Sequence, residues 1–391
     1  MSIHVESWRG RTALMVAHCA GMVDLVALSV WVGTLISYYG FDAQQAGGLP
    51  TLFLLGVVLA SIALAPWIQR LPARWVVSIG YGVSAFSFWM AAGSTGYAEL
   101  AVLHAISGIA TGAALSVTHG TIARSANPHR LFAIVGMALG VFAVVFLAGT
   151  PQLIAARGGA ALFNTFAGVM LLGAVAAMLG FPSHKSSKTS VSAEAGHLDS
   201  TRAPLPRVVW FGIGGIACMT LVQAMIFSFL DGVGAYRGFE QQAINSVLIA
   251  LGMVNLLPAA LAALLQKRIA ARKVLLVGPV VQVALAATIM LSPVFGPYAF
   301  AGAVFAAVMI FTHTFAFGLL AHLDASGRVL AATPAMLMIG SAIGPFLGGT
   351  LVTMSGYESL ALVAACLAVV AVFCFYRLPS GGPIRIPDGS H

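Results

Sequence analysis

Polar side chains stand in the middle of long apolar runs, among them Asp24, His104, Gln223 and His313. A charged group facing lipid costs about 2.5–3.5 kcal/mol on insertion scales, so such residues are expected to face protein or water. Asp24, between Val23 and Leu25, is the one acidic residue at mid-run. Its carboxyl group can carry protons if it faces a water-filled cavity, or stay protonated and hydrogen-bonded between helices. Trp31 and Tyr38 follow 7 and 14 positions on, close to the same helical face. That stripe suits a cavity wall, and it suits packing against a neighbouring helix equally well. His104 shares a face with Ser107, Gly108 and Thr111, and His313 sits between Thr312 and Thr314. A histidine can relay protons or bind a solute, or rest neutral on a backbone carbonyl. The proton-coupling candidates are therefore Asp24, His104 and His313. The substrate-binding candidates are Asp24, Trp31, Tyr38, His104, Thr111, Gln223 and His313. His18, off the Asp24 face, reads as interfacial, and Asn255 and Gln282 as hydrogen-bonding glue between helices.

Enzyme chemistry finds no footing. No nucleophile–base pair or paired carboxylates can be assembled, and no phosphate-binding GxxxxGK[ST] loop occurs. Cys19, Cys218, Cys366 and Cys374 all fall in apolar runs without metal-ligand spacing. Neither a metal nor any other cofactor is expected.

The elements that must position these residues follow from composition. The chain has 391 residues, 60% of them hydrophobic and 8% charged, with a mean hydropathy of +0.97. Ordinary soluble domains carry about 25% charged residues. The 19 Lys plus Arg and 11 Asp plus Glu cannot cover a globule of this size. The apolar runs are helix length for a bilayer, about 20 residues, rather than the length of barrel strands. The basic balance does not indicate nucleic acid, because the cations sit in short loops between runs. Twelve spans are expected, near 12–38, 47–68, 75–96, 97–119, 131–154, 160–181, 207–231, 241–265, 274–292, 297–321, 330–353 and 357–376. Arg9 and Arg11 precede the first, which is too long for a signal-peptide core and reads as a retained span. With the N-terminus inside, 17 of the 19 Lys plus Arg fall on the inner side, all but Arg157 and Arg237. That bias supports the count and an inner-membrane protein with both termini cytoplasmic. Arg70, Arg74, Arg268 and Arg272 are expected to set topology and brace the inward helix ends. Asp231, Arg237 and Glu240, at the outer end of span 7, form either an outside gate or a solvated loop.

The halves repeat. Gly40-Phe41-Asp42-Ala43-Gln44 after span 1 matches Gly238-Phe239-Glu240-Gln241-Gln242 after span 7, and the basic loop Gln69–Arg74 matches Lys267–Arg272; both offsets are 198 residues. Gly136–Gly140 in span 5 matches Gly340–Gly344 in span 11. A Ser-rich, charged stretch near the midpoint separates the two sets of six. With this duplication, that linker and the basic loops after spans 2 and 8, the chain resembles the major facilitator superfamily over its whole length. The family's loop signature G-x-L-a-D-r-x-G-r-k appears as Ala65–Arg74, with Arg70 and Arg74 in place, Gln69 for the Asp and Pro72 for the second Gly. Span 11 reads Gly340-Ser341-Ala342-Ile343-Gly344-Pro345-Phe346-Leu347-Gly348-Gly349. That is the drug-antiporter G-x-x-x-G-P-x-x-G-G pattern, carried by the helix symmetry-related to its usual place. Asp324–Arg328 is similar to bacterial efflux-type members.

The resemblance implies an all-α membrane protein of twelve transmembrane helices in two pseudo-symmetric six-helix bundles. The bundles would be 1–181 and 207–377, with a cytoplasmic linker at 182–206 and a tail at 378–391. Spans 1, 4, 7 and 10, the bearers of Asp24, His104, Gln223 and His313, would line a central cavity. The implied activity is secondary active transport of a small organic solute by alternating access, proton-driven through Asp24, with export preferred. A gradient-independent facilitator, an uptake symporter and a non-transporting assembly or receptor protein remain as alternatives. The expected partners are the solute and the bilayer, with no nucleic acid, and the protein is expected to be a monomer.

Overall fold

The computed structural model describes residues 4–65, 67, 70–182, 206–266, 268–323 and 333–379. Among these residues, twelve helices are long and apolar enough to cross a membrane, from Trp8–Tyr39 to Glu358–Tyr376. Each coincides with an expected span to within several residues. Length and apolarity suffice here because a backbone in lipid must satisfy its own hydrogen bonds. Local chemistry sets several starts. Ser7 and Asp42 side chains accept from the N–H groups of Gly10 and Gln45 to cap spans 1 and 2. The linker 183–205, the Asp324–Arg328 stretch, Gln69, Lys267 and the tail from 380 lie outside the described residues.

Among the described residues, three spans are not continuous. Span 1 is two helices, Trp8–Gly21 and Val23–Tyr39, hinged at Met22 (φ −110°, ψ 20°). Span 7 ends at Ser228 and resumes as Leu230–Tyr236, hinged at Phe229 (φ −107°, ψ 10°). Both hinges sit in the sparsely used bridge region between helix and strand. Span 8 is Gln241–Val254 and then Pro258–Leu265, because Pro258 has no N–H to continue the first helix.

The duplication is written into the backbone. The positive-φ residues among those described are Gly40, Gly158, Gly238 and Gly356. They form two pairs, each 198 residues apart, at the turns after spans 1, 5, 7 and 11, all at one end of the molecule. Gly40 and Gly238 are open, with nothing within 4 Å of the place a Cβ would take, so backbone strain alone demands glycine there. Gly238→Ala should cost about 1–2 kcal/mol, read as a lower thermal midpoint of the purified protein.

The two six-helix bundles meet at this glycine-turn end and again at mid-span. Spans 2 and 11 touch backbone to backbone. Gly47 lies on the Pro345 carbonyl and Gly349 on the Ala43 carbonyl. The Phe346 N–H donates to Thr51 Oγ1 at 3.2 Å. Spans 5 and 8 meet where Gly252 packs on Val144 and Leu147, and Gly140 on Leu256. Between them, the Asp231 N–H donates to Ser29 Oγ at 3.1 Å.

Candidate functional site

Asp24 sits in the first turn of the second half of span 1, just after the Met22 hinge. It is 1% exposed, and both carboxyl oxygens lack a hydrogen-bond partner of normal geometry. The N–H groups of its own turn, those of Asp24 and Leu25, lie close to it. A helix N-terminus leaves such N–H groups unpaired and favours negative charge. The hinge thus gives a carboxylate local support that an unbroken helix would lack.

Of the two readings of the other N-terminal candidates, packing between helices is the one that describes Trp31 and His104. Trp31 and His104, both fully buried, lie at the centre of an aromatic cluster. The Trp31 ring contacts Phe53, Phe88, His104 and Phe166 at centroid distances of 4.6–5.9 Å. The Trp31 Nε1–H donates to His104 Nε2 at 3.3 Å, and His104 Nδ1 meets the Leu100 carbonyl at 2.6 Å. Both imidazole nitrogens are therefore occupied, with Nδ1 the protonated one. Thr111 donates to Ser84, whose hydroxyl is 2.6 Å from that of Ser107. The His104–Ser107–Thr111 face packs on Trp31 of span 1, on Ser84 and Phe88 of span 3 and on Phe163 and Met170 of span 6. Tyr38 is 51% exposed, so Asp24, Trp31 and Tyr38 do not form one wall. Spacing fixes the face of a helix, and the neighbours decide what that face meets. His104→Ala would open a cavity and strand the Trp31 N–H. We expect a loss of about 3 kcal/mol or more, measured as a thermal shift of several degrees in detergent.

A contact that spacing does not reveal joins the same two spans. His18 Nδ1 and His119 Nε2 are 3.0 Å apart, with ring centroids at 5.1 Å. His18 is buried, and His119 packs edge-on against Phe132. One nitrogen must donate and the other accept, so the pair shares a single bridging proton. The only sequence signal is a second histidine within a span expected to neighbour span 1, and nothing in the order of residues brings positions 101 apart together.

The C-terminal candidates are less sealed. Gln223 is half-buried and accepts from Gln282 Nε2 at 3.4 Å; the same amide donates to the Met219 carbonyl at 3.0 Å. His313 is half-buried and its ring lies 5.1 Å from that of Phe317. At the glycine-turn end Asp231 accepts from Gln241 Nε2 at 2.8 Å, and its carboxylate fills the notch left by Gly33 of span 1. Arg237 turns away from Asp231 to Glu358 at 2.8 Å and to the Met290 carbonyl. Glu240 is exposed. Of the gate trio, only Asp231 is at the contact between bundles. Arg70, Arg74 and Arg268 are exposed, Arg70 beside the Trp67 ring. Arg272 donates to the Tyr376 carbonyl at 2.8 Å and ties the start of span 9 to the end of span 12. Among the described residues, no group of three or more His, Cys, Asp or Glu could hold a metal ion.

Twelve spans, a duplicated backbone and bundles meeting along spans 2, 5, 8 and 11 define an architecture that comparison can name. Residues 14–323 match the family described as the Major Facilitator Superfamily. The chain belongs to the major facilitator superfamily. Solved structures of the same fold include a bacterial homolog of the human lysosomal transporter Spinster, inward-facing and unoccupied. It has a TM-score of 0.71 at 15% identity, over 95% of this chain and 97% of that one. A D-xylose–proton symporter gives 0.72 at 16% identity, over 95% and 98%. The nucleoside transporter NupG gives 0.68 at 13%, over 94% and 97%. No curated protein sequence matches significantly. The chain is a multi-pass membrane transporter of this superfamily and not an enzyme.

Proposed function

We propose that this protein is a proton-coupled secondary transporter of a small organic solute, working by alternating access with Asp24 as proton carrier. The observation that carries the reading is the Asp24 carboxyl group, buried without a side-chain partner at a hinge in span 1. Broken helices near mid-membrane are where transporters of this kind bind ions and solutes. The His18–His119 pair, on the span that bears Asp24 and on span 4, extends the candidate proton path. Gln223 and His313, half-buried on spans 7 and 10, are the first choices for solute contact. Trp31, His104, Thr111 and Tyr38 shape the helix pair on which Asp24 rides.

Residues 1–181 and 207–377 are the rocking units, joined by 182–206 and followed by the tail 378–391. Closure at the glycine-turn end, the outer end by the distribution of Lys and Arg, corresponds to a state that opens inward. The protein sits in the inner membrane with both termini cytoplasmic. It acts as a monomer, with the proton gradient as its energy source and no other cofactor. Export is the proposed direction, from the family resemblance. Uptake by symport is the second reading, favoured by the likeness to a D-xylose–proton symporter.

The test begins with thermal-shift screening of the purified protein against metabolites and drugs at two pH values, since a ligand of the folded state raises its stability. Hits then enter proteoliposomes with an imposed pH gradient. Accumulation beyond equilibrium that a protonophore collapses supports the reading. Flux that only equilibrates, indifferent to pH, identifies a facilitator instead.

A further inference from the structure

A cavity lies away from Asp24, on the side of the C-terminal bundle. Span 8 breaks between Val254 and Pro258, and its second half stands apart from span 9. The groove between them has a volume of about 550 Å³ and is floored by span 10. Its walls are almost wholly apolar, with Leu257, Leu261, Val277, Val281, Val308 and Phe311 the main contributors. The one polar group on the floor is spent: the Thr312 hydroxyl donates to the Val308 carbonyl at 2.8 Å. Gly278 packs directly on that threonine and closes the floor. Nothing here recognises a sugar, a nucleoside or any other polar body.

The mouth is different. Lys273 lines one end of the groove and is exposed, and Arg268 is exposed on the preceding turn. The described carboxylates of this half, Asp231, Glu240 and Glu358, all lie at the opposite, glycine-turn end. From Lys273 to Val281 the groove runs eight residues along span 9, roughly 12 Å at the helical rise. A long apolar slot whose membrane-surface end carries a cation with no carboxylate partner among the described residues fits an amphiphile with an anionic head.

We propose that this groove binds one acyl chain of an anionic phospholipid from the leaflet at the Lys273 end, with the phosphate on the Lys273 ammonium. The site is independent of the transport reading. Basic side chains at a membrane surface attract anionic headgroups by about 1 kcal/mol each, about a fivefold preference. Native mass spectrometry of the full chain, loaded with equal phosphatidylglycerol and phosphatidylcholine of identical chains, tests it. The first lipid bound should favour phosphatidylglycerol by about fivefold or more. Lys273→Gln should bring that preference close to one without reducing total occupancy. Ala307→Phe, which fills the groove floor, should remove the first bound lipid of either kind. Val281→Phe serves the same end should Ala307→Phe fail to purify as a monodisperse species. Equal retention of both lipids by the parent protein, an unchanged preference in Lys273→Gln, or full lipid occupancy in the filled groove would each overturn the proposal. A dimer that disappears in the filled variant would assign the groove to a second copy and overturn it as well.

Discussion

Asp24→Asn should abolish proton-driven accumulation and leave gradient-free solute exchange within a few-fold of the parent. The two carboxyl oxygens have no side-chain donor to lose, so a neutral isostere preserves packing and removes only the capacity to ionise. One unit of pH difference is worth 1.36 kcal/mol, which at one proton per solute sustains about tenfold accumulation. In proteoliposomes the ratio should fall from about ten to about one. The pH dependence of transport should flatten at the same time, because the group that gains and loses the proton is gone. An Asn variant that still concentrates solute would remove Asp24 from the coupling mechanism. His18→Asn and His119→Asn distinguish a relay from the carrier: a relay slows coupling and shifts its pH profile without lowering the limiting ratio.

Gly349→Leu should lock the transporter out of the closed arrangement seen here. A side chain at this position meets the Ala43 carbonyl of span 2, and one at Gly47 meets the Pro345 carbonyl of span 11. Backbone on both sides cannot rotate away, so the bundles must separate. Overpacking costs about 1–3 kcal/mol even where side chains can adjust, and more is expected between two backbones. Each decade of population corresponds to about 1.4 kcal/mol, so transport should fall tenfold or more. Each bundle retains its own core, because the clash lies between halves. Ser29, fully buried where Asp231 docks, supplies the readout. A Ser29→Cys probe should react with an impermeant maleimide in the Gly349→Leu background and stay protected in the parent. Gly82→Leu, where nothing stands within 4 Å of the Cβ position, is the control and should transport normally. Unchanged rates with Ser29→Cys still protected would mean that spans 2 and 11 do not form the gate.

The amino-acid sequence by itself determined the number of spans, their limits and the duplication. Each is a local property: apolar length sets where a helix can cross, and Gly40 and Gly238 announce themselves by their neighbours. The same logic passes over the hinges at Met22 and Phe229. Hydropathy is blind to φ and ψ, and neither position carries a proline or glycine; Pro258 is the exception that could have been read. Tertiary structure alone decided what each polar residue meets. Trp31 and His104, which spacing left open between a cavity wall and helix packing, close on one another inside a ring of phenylalanines. His18, read as interfacial, meets His119 of span 4. Asp231 separated from Arg237 and docked against Ser29 and Gly33. A helical period tells which residues share a face, and only the packing of all twelve helices tells whether that face looks onto water, lipid or another side chain.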